Sequence, residues 1–114
     1  MEKIVKQGLL YDFYGELLTD HQKHIYEQVV YDDMSLSEIA DEAGITRQGV
    51  HDLIRRCDKI LQSYEDRLHL MERFMKAKEE ISDIQQKCIQ YRQNQNETLI
   101  DEIEAISLRL LEEL

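Results

Sequence analysis

The sequence predicts an all-α protein: a helix-turn-helix head, then a long helix and a C-terminal amphipathic helix. Three observations carry this. Apolar residues recur at helical spacing almost throughout. The 114 residues include no proline, and the last of the four glycines is Gly49. Finally, residues 35–56 place a suitable residue type at each special position of a two-helix motif.

Taken in order, residues 3–17 read as a first helix with the apolar stripe Val5, Leu9, Leu10, Phe13 and Leu17. Thr19-Asp20-His21-Gln22 fits a capping box, Thr with Gln three residues later. The helix it starts runs to about Tyr31, with Ile25, Val29 and Val30 facing inward. Asp32-Asp33-Met34 connects it to a second capping box, Ser35 with Glu38. Ile39, Ala40 and Ala43 form the inner face of the helix that follows. Gly44 stands where that helix stops, because glycine tolerates the left-handed conformation common there. Ile45 plugs the turn and Thr46 caps the second motif helix. Val50, Leu53 and Ile54 point inward from it. Gly49 costs helix stability, which suggests the close approach of another backbone.

From Thr46 to Asn94 there is no strong breaker. Val50, Leu53, Cys57, Ile60, Tyr64, Met71, Phe74, Ile81 and Cys88 follow a 3–4 alternation resembling heptads. Arg67, Lys78 and Gln85 interrupt it. One straight helix over 46–92 would be about 70 Å long and could not bury its stripe alone. It bends back, pairs with a second copy or waits for a partner. Asn94-Gln95-Asn96-Glu97 reads as a turn, with Asn96 capping a final helix over 97–113. The stripe of that helix is Leu99, Ile100, Ile103, Ile106, Leu110 and Leu114. The simplest architecture returns it antiparallel along the long helix; a homodimer through the extension is the competing arrangement. The organisation is thus a head over 1–61 and a helical extension over 62–114.

The net charge of −10 opposes nucleic-acid binding in general, but it is unevenly spread. Residues 46–61 set Arg47, Arg55, Arg56 and Lys59 against Asp52 and Asp58. Residues 93–114 set Arg109 against Glu97, Asp101, Glu102, Glu104, Glu112 and Glu113. The bland account of that acidic end is a solvated helix face; the sharper one is docking on a basic protein. No apolar run is long enough to span a membrane, and the opening residues lack a signal-peptide pattern. A cytoplasmic location is expected. Cys57 and Cys88 then stay reduced and read as small buried hydrophobes.

The candidate nucleic-acid-binding residues are Thr46, Arg47, Gln48, His51, Asp52, Arg55 and Arg56. The front of the second helix of such a motif reaches base edges. Arg suits guanine and Gln suits adenine, while Thr46 and Arg56 suit phosphates. The competing account is a tri-helical core with a solvated polar face. His21 and His24 share a helix face but lack an evident third ligand, so no metal or cofactor is expected. His69 reads as a surface or boundary residue. No isolated carboxylate pair, Gly-rich phosphate loop or nucleophile elbow is present, so no enzyme is expected. Tyr11, Phe13, Tyr14, Tyr26, Tyr31 and Tyr64 read as core and boundary packing. Tyr11 and Tyr14, beside Gly15, are the best candidates for an aromatic partner surface.

Two resemblances follow from these residues. Residues 19–61 resemble region 4 of bacterial sigma factors. The likeness lies in Leu18-Thr19-Asp20-His21-Gln22, Tyr31-Asp32-Asp33-Met34-Ser35, Glu38-Ile39-Ala40 and Gly44-Ile45-Thr46-Arg47. More closely, residues 1 to about 75 resemble the YlxM family of small bacterial proteins. The match rests on the opening Met-Glu-Lys, on Leu9-Leu10-Tyr11-Asp12-Phe13-Tyr14-Gly15-Glu16-Leu17-Leu18-Thr19 and on Arg47-Gln48-Gly49-Val50-His51-Asp52. Tyr64-Glu65 and Leu68 add to it. This resemblance implies a non-enzymatic accessory or regulatory protein of the signal recognition particle pathway, with the particle's GTPase or its RNA as partner. The alternative from the motif itself is a sequence-specific DNA-binding transcriptional regulator. A third reading is a structural adaptor that uses the fold only as a protein-binding surface.

Overall fold

Side-chain capping starts three of the six helices in the computed structural model, which describes residues 1–114. The helices are α1 (Lys3–Tyr14), α2 (Asp20–Val30), α3 (Leu36–Ala43), α4 (Arg47–Leu68), α5 (Leu70–Asn94) and α6 (Thr98–Glu113), with a 3₁₀ turn at Gly15–Leu17. The chain is all-helical. At α2 the Gln22 N–H donates to the Thr19 hydroxyl (3.2 Å) and the Gln22 side chain accepts from the Thr19 N–H (3.0 Å). Ser35 and Glu38 make the same reciprocal pair at α3. The Thr46 hydroxyl accepts from the Gly49 N–H at α4 (2.9 Å). Each cap satisfies donors that a helix start leaves unpaired. Gly44 ends α3 in the left-handed region at φ 70°, as its position in the motif predicts.

The chain divides into two units, Met1–Met71 and Glu72–Leu114. In the first, α1, α2 and α3 all pack on α4. Its core includes Leu10, Tyr14, Ile25, Tyr26, Ile39, Val50, Cys57 and Leu61. Several expectations change here. The first helix stops at Tyr14, and Val5 and Leu17 are exposed. The buried face of α1 is Gln7, Leu10 and Tyr14. Gln7 can go inside because its amide donates to Asp58 (3.0 and 3.2 Å). Tyr14 is core rather than partner surface. Ala43 is exposed on α3. Gly49 answers to a side chain and not to another backbone: a Cβ there would lie 3.1 Å from the Thr46 hydroxyl. Gly15 is required by a ring, since a Cβ would lie 2.8 Å from Tyr11. That ring stacks on Tyr26 and meets Tyr31 edge-on, with centroids 5.6 Å apart in both cases.

The uninterrupted helix expected over 46–92 is broken at His69, which ends α4 in the left-handed region (φ 57°). The side chains that hold the break are remote in sequence. The buried Glu65 carboxylate accepts from the Tyr14 hydroxyl (2.6 Å) and from the Met71 N–H (2.8 Å), and the Leu70 N–H donates to the Tyr14 oxygen (3.1 Å). Glu65 and Tyr14 thereby take up backbone donors at the start of α5.

Four phenols of the head donate to carboxylates: Tyr11 to Glu27, Tyr14 to Glu65, Tyr26 to Asp58 and Tyr31 to Asp12. Burial first, and the carboxylate partner second, push all four above the ordinary phenol pKa, Tyr31 up to about 12. The folded head therefore holds these protons after the unfolded chain has begun to lose them. Their contribution to stability is complete below pH 10.0 and is lost progressively above it, up to about 12 for Tyr31. Urea midpoints measured across that alkaline window are expected to fall steadily, in step with delayed phenolate absorbance. A midpoint that stays flat through the window refutes the assignment.

In the second unit α5 and α6 run antiparallel. Lys76 pairs with Glu113 at 2.8 Å and Lys87 with Glu102 at 3.1 Å, two contacts in one register. Leu99 and Ile106 are buried, while α5 has no buried residue. The Asn96 side chain accepts from the Thr98 N–H (3.0 Å), at the expected turn. Cys57 is buried as expected, but Cys88 is exposed. No helix of the chain is long and apolar enough to cross a membrane.

Candidate nucleic-acid interface

Thr46 fixes where α4 begins, and so fixes which side chains stand at its front. Val50, Ile54, Cys57 and Leu61 are buried at helical spacing, which turns the opposite side of α4 outward. All seven sequence-predicted residues lie there exposed: Thr46, Arg47, Gln48, His51, Asp52, Arg55 and Arg56. Arg47, His51 and Arg55 follow one another at four-residue steps along one row. A shallow open groove is lined by Leu36 of α3 with Arg47, Gln48 and His51. A second, further along α4, is lined by Asp52, Arg55, Arg56 and Lys59.

Lys59 is the residue that sequence reasoning left out of the site. Its signal was its spacing, four residues beyond Arg55 on the same face. The aspartates of α4 differ in where they point, and two of them, Asp52 and Asp58, flank Arg55 and Arg56. Asp58 turns inward and accepts from Gln7 and from the Tyr26 hydroxyl (2.6 Å). Asp52 stays outside, accepts from the Gln48 amide (3.0 Å) and lies 3.8 Å from His51 Nδ1. Arg47, Arg55, Arg56 and Lys59 form no ion pair within the chain, whereas Lys23, Lys76 and Lys87 do. From Arg47 to Lys59 the outward face of α4 is therefore cationic, with Asp52 the one exposed anion among those residues; the exposed Asp66 follows further along and accepts from Gln62. Thr46 spends one oxygen lone pair on its cap, and Gln48 spends one of its two amide N–H donors on Asp52.

No other predicted chemistry gathers here. His21 and His24 are exposed on α2. Burial, aided by Asp58 and opposed by Arg56, pushes the Cys57 thiol up to about 11. It stays protonated and unreactive at neutral pH.

The family model described as "Putative helix-turn-helix protein, YlxM / p13 like" matches residues 1–103. The chain belongs to this family. A UPF0122 protein of Clostridium acetobutylicum is 38% identical over 108 residues, covering 91% of this chain and 93% of the relative. One from Lactococcus lactis subsp. cremoris is 40% identical over 87 residues, 76% of this chain and 78% of the relative. One from Streptococcus agalactiae is 41% identical over 87 residues, 76% and 79% respectively. The family match extends beyond the head into α6, further than the resemblance read from motifs.

Proposed function

We propose that this protein is a non-enzymatic accessory component of the signal recognition particle pathway, and that the cationic face of α4 is its binding surface. The observation that supports this reading is the set of unpaired cations Arg47, Arg55, Arg56 and Lys59 on an otherwise acidic chain. Exposed guanidinium groups suit phosphate oxygens, and the particle's RNA supplies them. The A-form major groove is too narrow for side-chain reading, so α4 meets backbone or a loop. The acidic remainder of the surface suits the particle's GTPase, a second point of contact with a basic protein domain.

The test is capture of particle components by the tagged protein, with and without nuclease, in the wild type and in Arg55→Glu/Arg56→Glu. Both substitutions sit on exposed residues, so helix content and thermal midpoint are expected to stay unchanged. Binding of the particle's RNA is expected to fall by at least tenfold, with a weaker salt dependence, since each lost phosphate contact removes counterion release. Unchanged RNA binding in the double variant removes α4 from the role. Absence of both RNA and GTPase from the captured material removes the pathway.

A sequence-specific DNA-binding regulator is the second reading, favoured by one feature. The Thr46 cap leaves Arg47, Gln48 and His51 exposed at the front of α4, the positions that reach base edges in this motif. It predicts that Arg47→Ala relaxes base preference by about 1–3 kcal/mol. A selection from random duplexes that enriches no sequence eliminates it.

A further inference from the structure

The hairpin of α5 and α6 buries one side of α6, covers one side of α5 only in part, and leaves an adjacent side of each uncovered. Ala77, Ile84 and Tyr91 of α5 are partly covered, as are Ile103 and Leu110 of α6 beside the buried Leu99 and Ile106. These residues mark the faces that meet. About 40–60° further round α5, at roughly 100° per residue, stand Ile81 and Cys88. About 80–100° further round α6 stand Ile100 and Leu111. All four are exposed, Ile81 at 57% and Leu111 at 75%. Because the helices are antiparallel, the same sense of rotation brings both sets to the same side of the hairpin. The ion-pair register places Leu111 level with Lys78, within one turn of Ile81, and Ile100 level with Ile89. The result is one apolar face two helices wide, on a hairpin in which α5 has no buried residue.

Charge selects what covers it. On that side α5 carries Lys78 and Arg92, while Glu97 immediately precedes α6 and Glu104 lies on it, all exposed. Arg92, Glu97 and Glu104 form no ion pair within the chain. A face with cations along one helix and anions along the other is complementary to itself under a two-fold rotation. Packing α5 on α5 would set Lys78 and Arg92 against like charges. Packing α5 on α6 with the rotation axis along the helices puts Arg92 level with Glu97 of the partner subunit.

We propose that the protein self-associates through this face, two hairpins closing into a four-helix bundle with α5 of each copy on α6 of the other. This stands independently of the reading of α4, and the outcomes of its test bear on the hairpin alone.

Sedimentation equilibrium of the full chain at micromolar concentration should give twice the chain mass of 13.6 kDa. Cys88 is a built-in probe, since Cys57 is buried: its labelling by a maleimide should slow as protein concentration rises. Ile81→Glu, at a position exposed in the single chain, should give a monomer with fast labelling. Lys78→Glu/Arg92→Glu and Glu97→Lys/Glu104→Lys should each weaken association by at least tenfold, because each sets like charges against one another across the interface. Their mixture should restore it as a heterodimer. A mass of 13.6 kDa throughout the concentration series overturns the proposal. So does a dimer that Ile81→Glu leaves intact, and a mixture of charge variants that does not recover overturns the α5-on-α6 pairing.

Discussion

Ile25→Ala is expected to destabilise the head by about 2–5 kcal/mol, the range for a buried Ile truncated to Ala. Ile25 is fully buried in α2, which packs on α1, α3 and α4. Truncation leaves a cavity in this core, and α1 and α3, both packed on α4, cannot close it without giving up contacts there. A unit of this size has roughly 4–11 kcal/mol of stability in total, at roughly 0.05–0.15 kcal/mol per residue. The substitution therefore removes a large share of it. Urea unfolding followed by circular dichroism measures the loss. A change below about 1 kcal/mol would mean the head is packed differently.

The second large effect is expected at Glu65. Replacement by Leu takes the acceptor away from both the Tyr14 hydroxyl and the Met71 N–H. Each buried donor left unpaired costs about 1–3 kcal/mol, so the variant should lose about 2–6 kcal/mol. Glu65→Gln keeps an amide oxygen in place and should lose less. The diagnostic variant is Glu65→Leu/Tyr14→Phe. With the phenol hydroxyl gone there is one fewer orphan, so the double substitution should cost less than the sum of the singles. Strict additivity in a double-mutant cycle would show that the two side chains do not act together.

The parts of the fold that could be read from sequence are those whose causes are local. Both capping boxes, the Thr46 cap and the Gly44 stop depend on residues within four positions of one another, and all four form as read. The break at His69 was hidden because its causes lie elsewhere. No glycine or proline marks it, and the groups that satisfy the start of α5 come from Tyr14, more than fifty positions earlier, and from Glu65. Gln7 is a similar case: a polar residue on an apolar stripe looks exposed until Asp58, 51 residues away, is placed beside it. At the candidate interface, the outward set on α4 followed from helical periodicity alone. Which aspartate would neutralise that set did not, because Asp58 is drawn inward by Tyr26 on another helix. A free cysteine predicts a small buried hydrophobe at Cys88, whereas the single chain leaves it exposed.

The placement of the tyrosines gives the molecule a reporter for each of its parts. There is no tryptophan, and of the six tyrosines only Tyr91 lies beyond the first unit, Met1–Met71. Near-ultraviolet dichroism therefore records almost entirely the packing of the head, where rings stack against one another. Far-ultraviolet dichroism records every helix. Melting curves in the two wavelength ranges separate the loss of the hairpin from the loss of the head without a label or a substitution. Only the far-ultraviolet curve should shift with protein concentration if the hairpin is held by a second copy of itself.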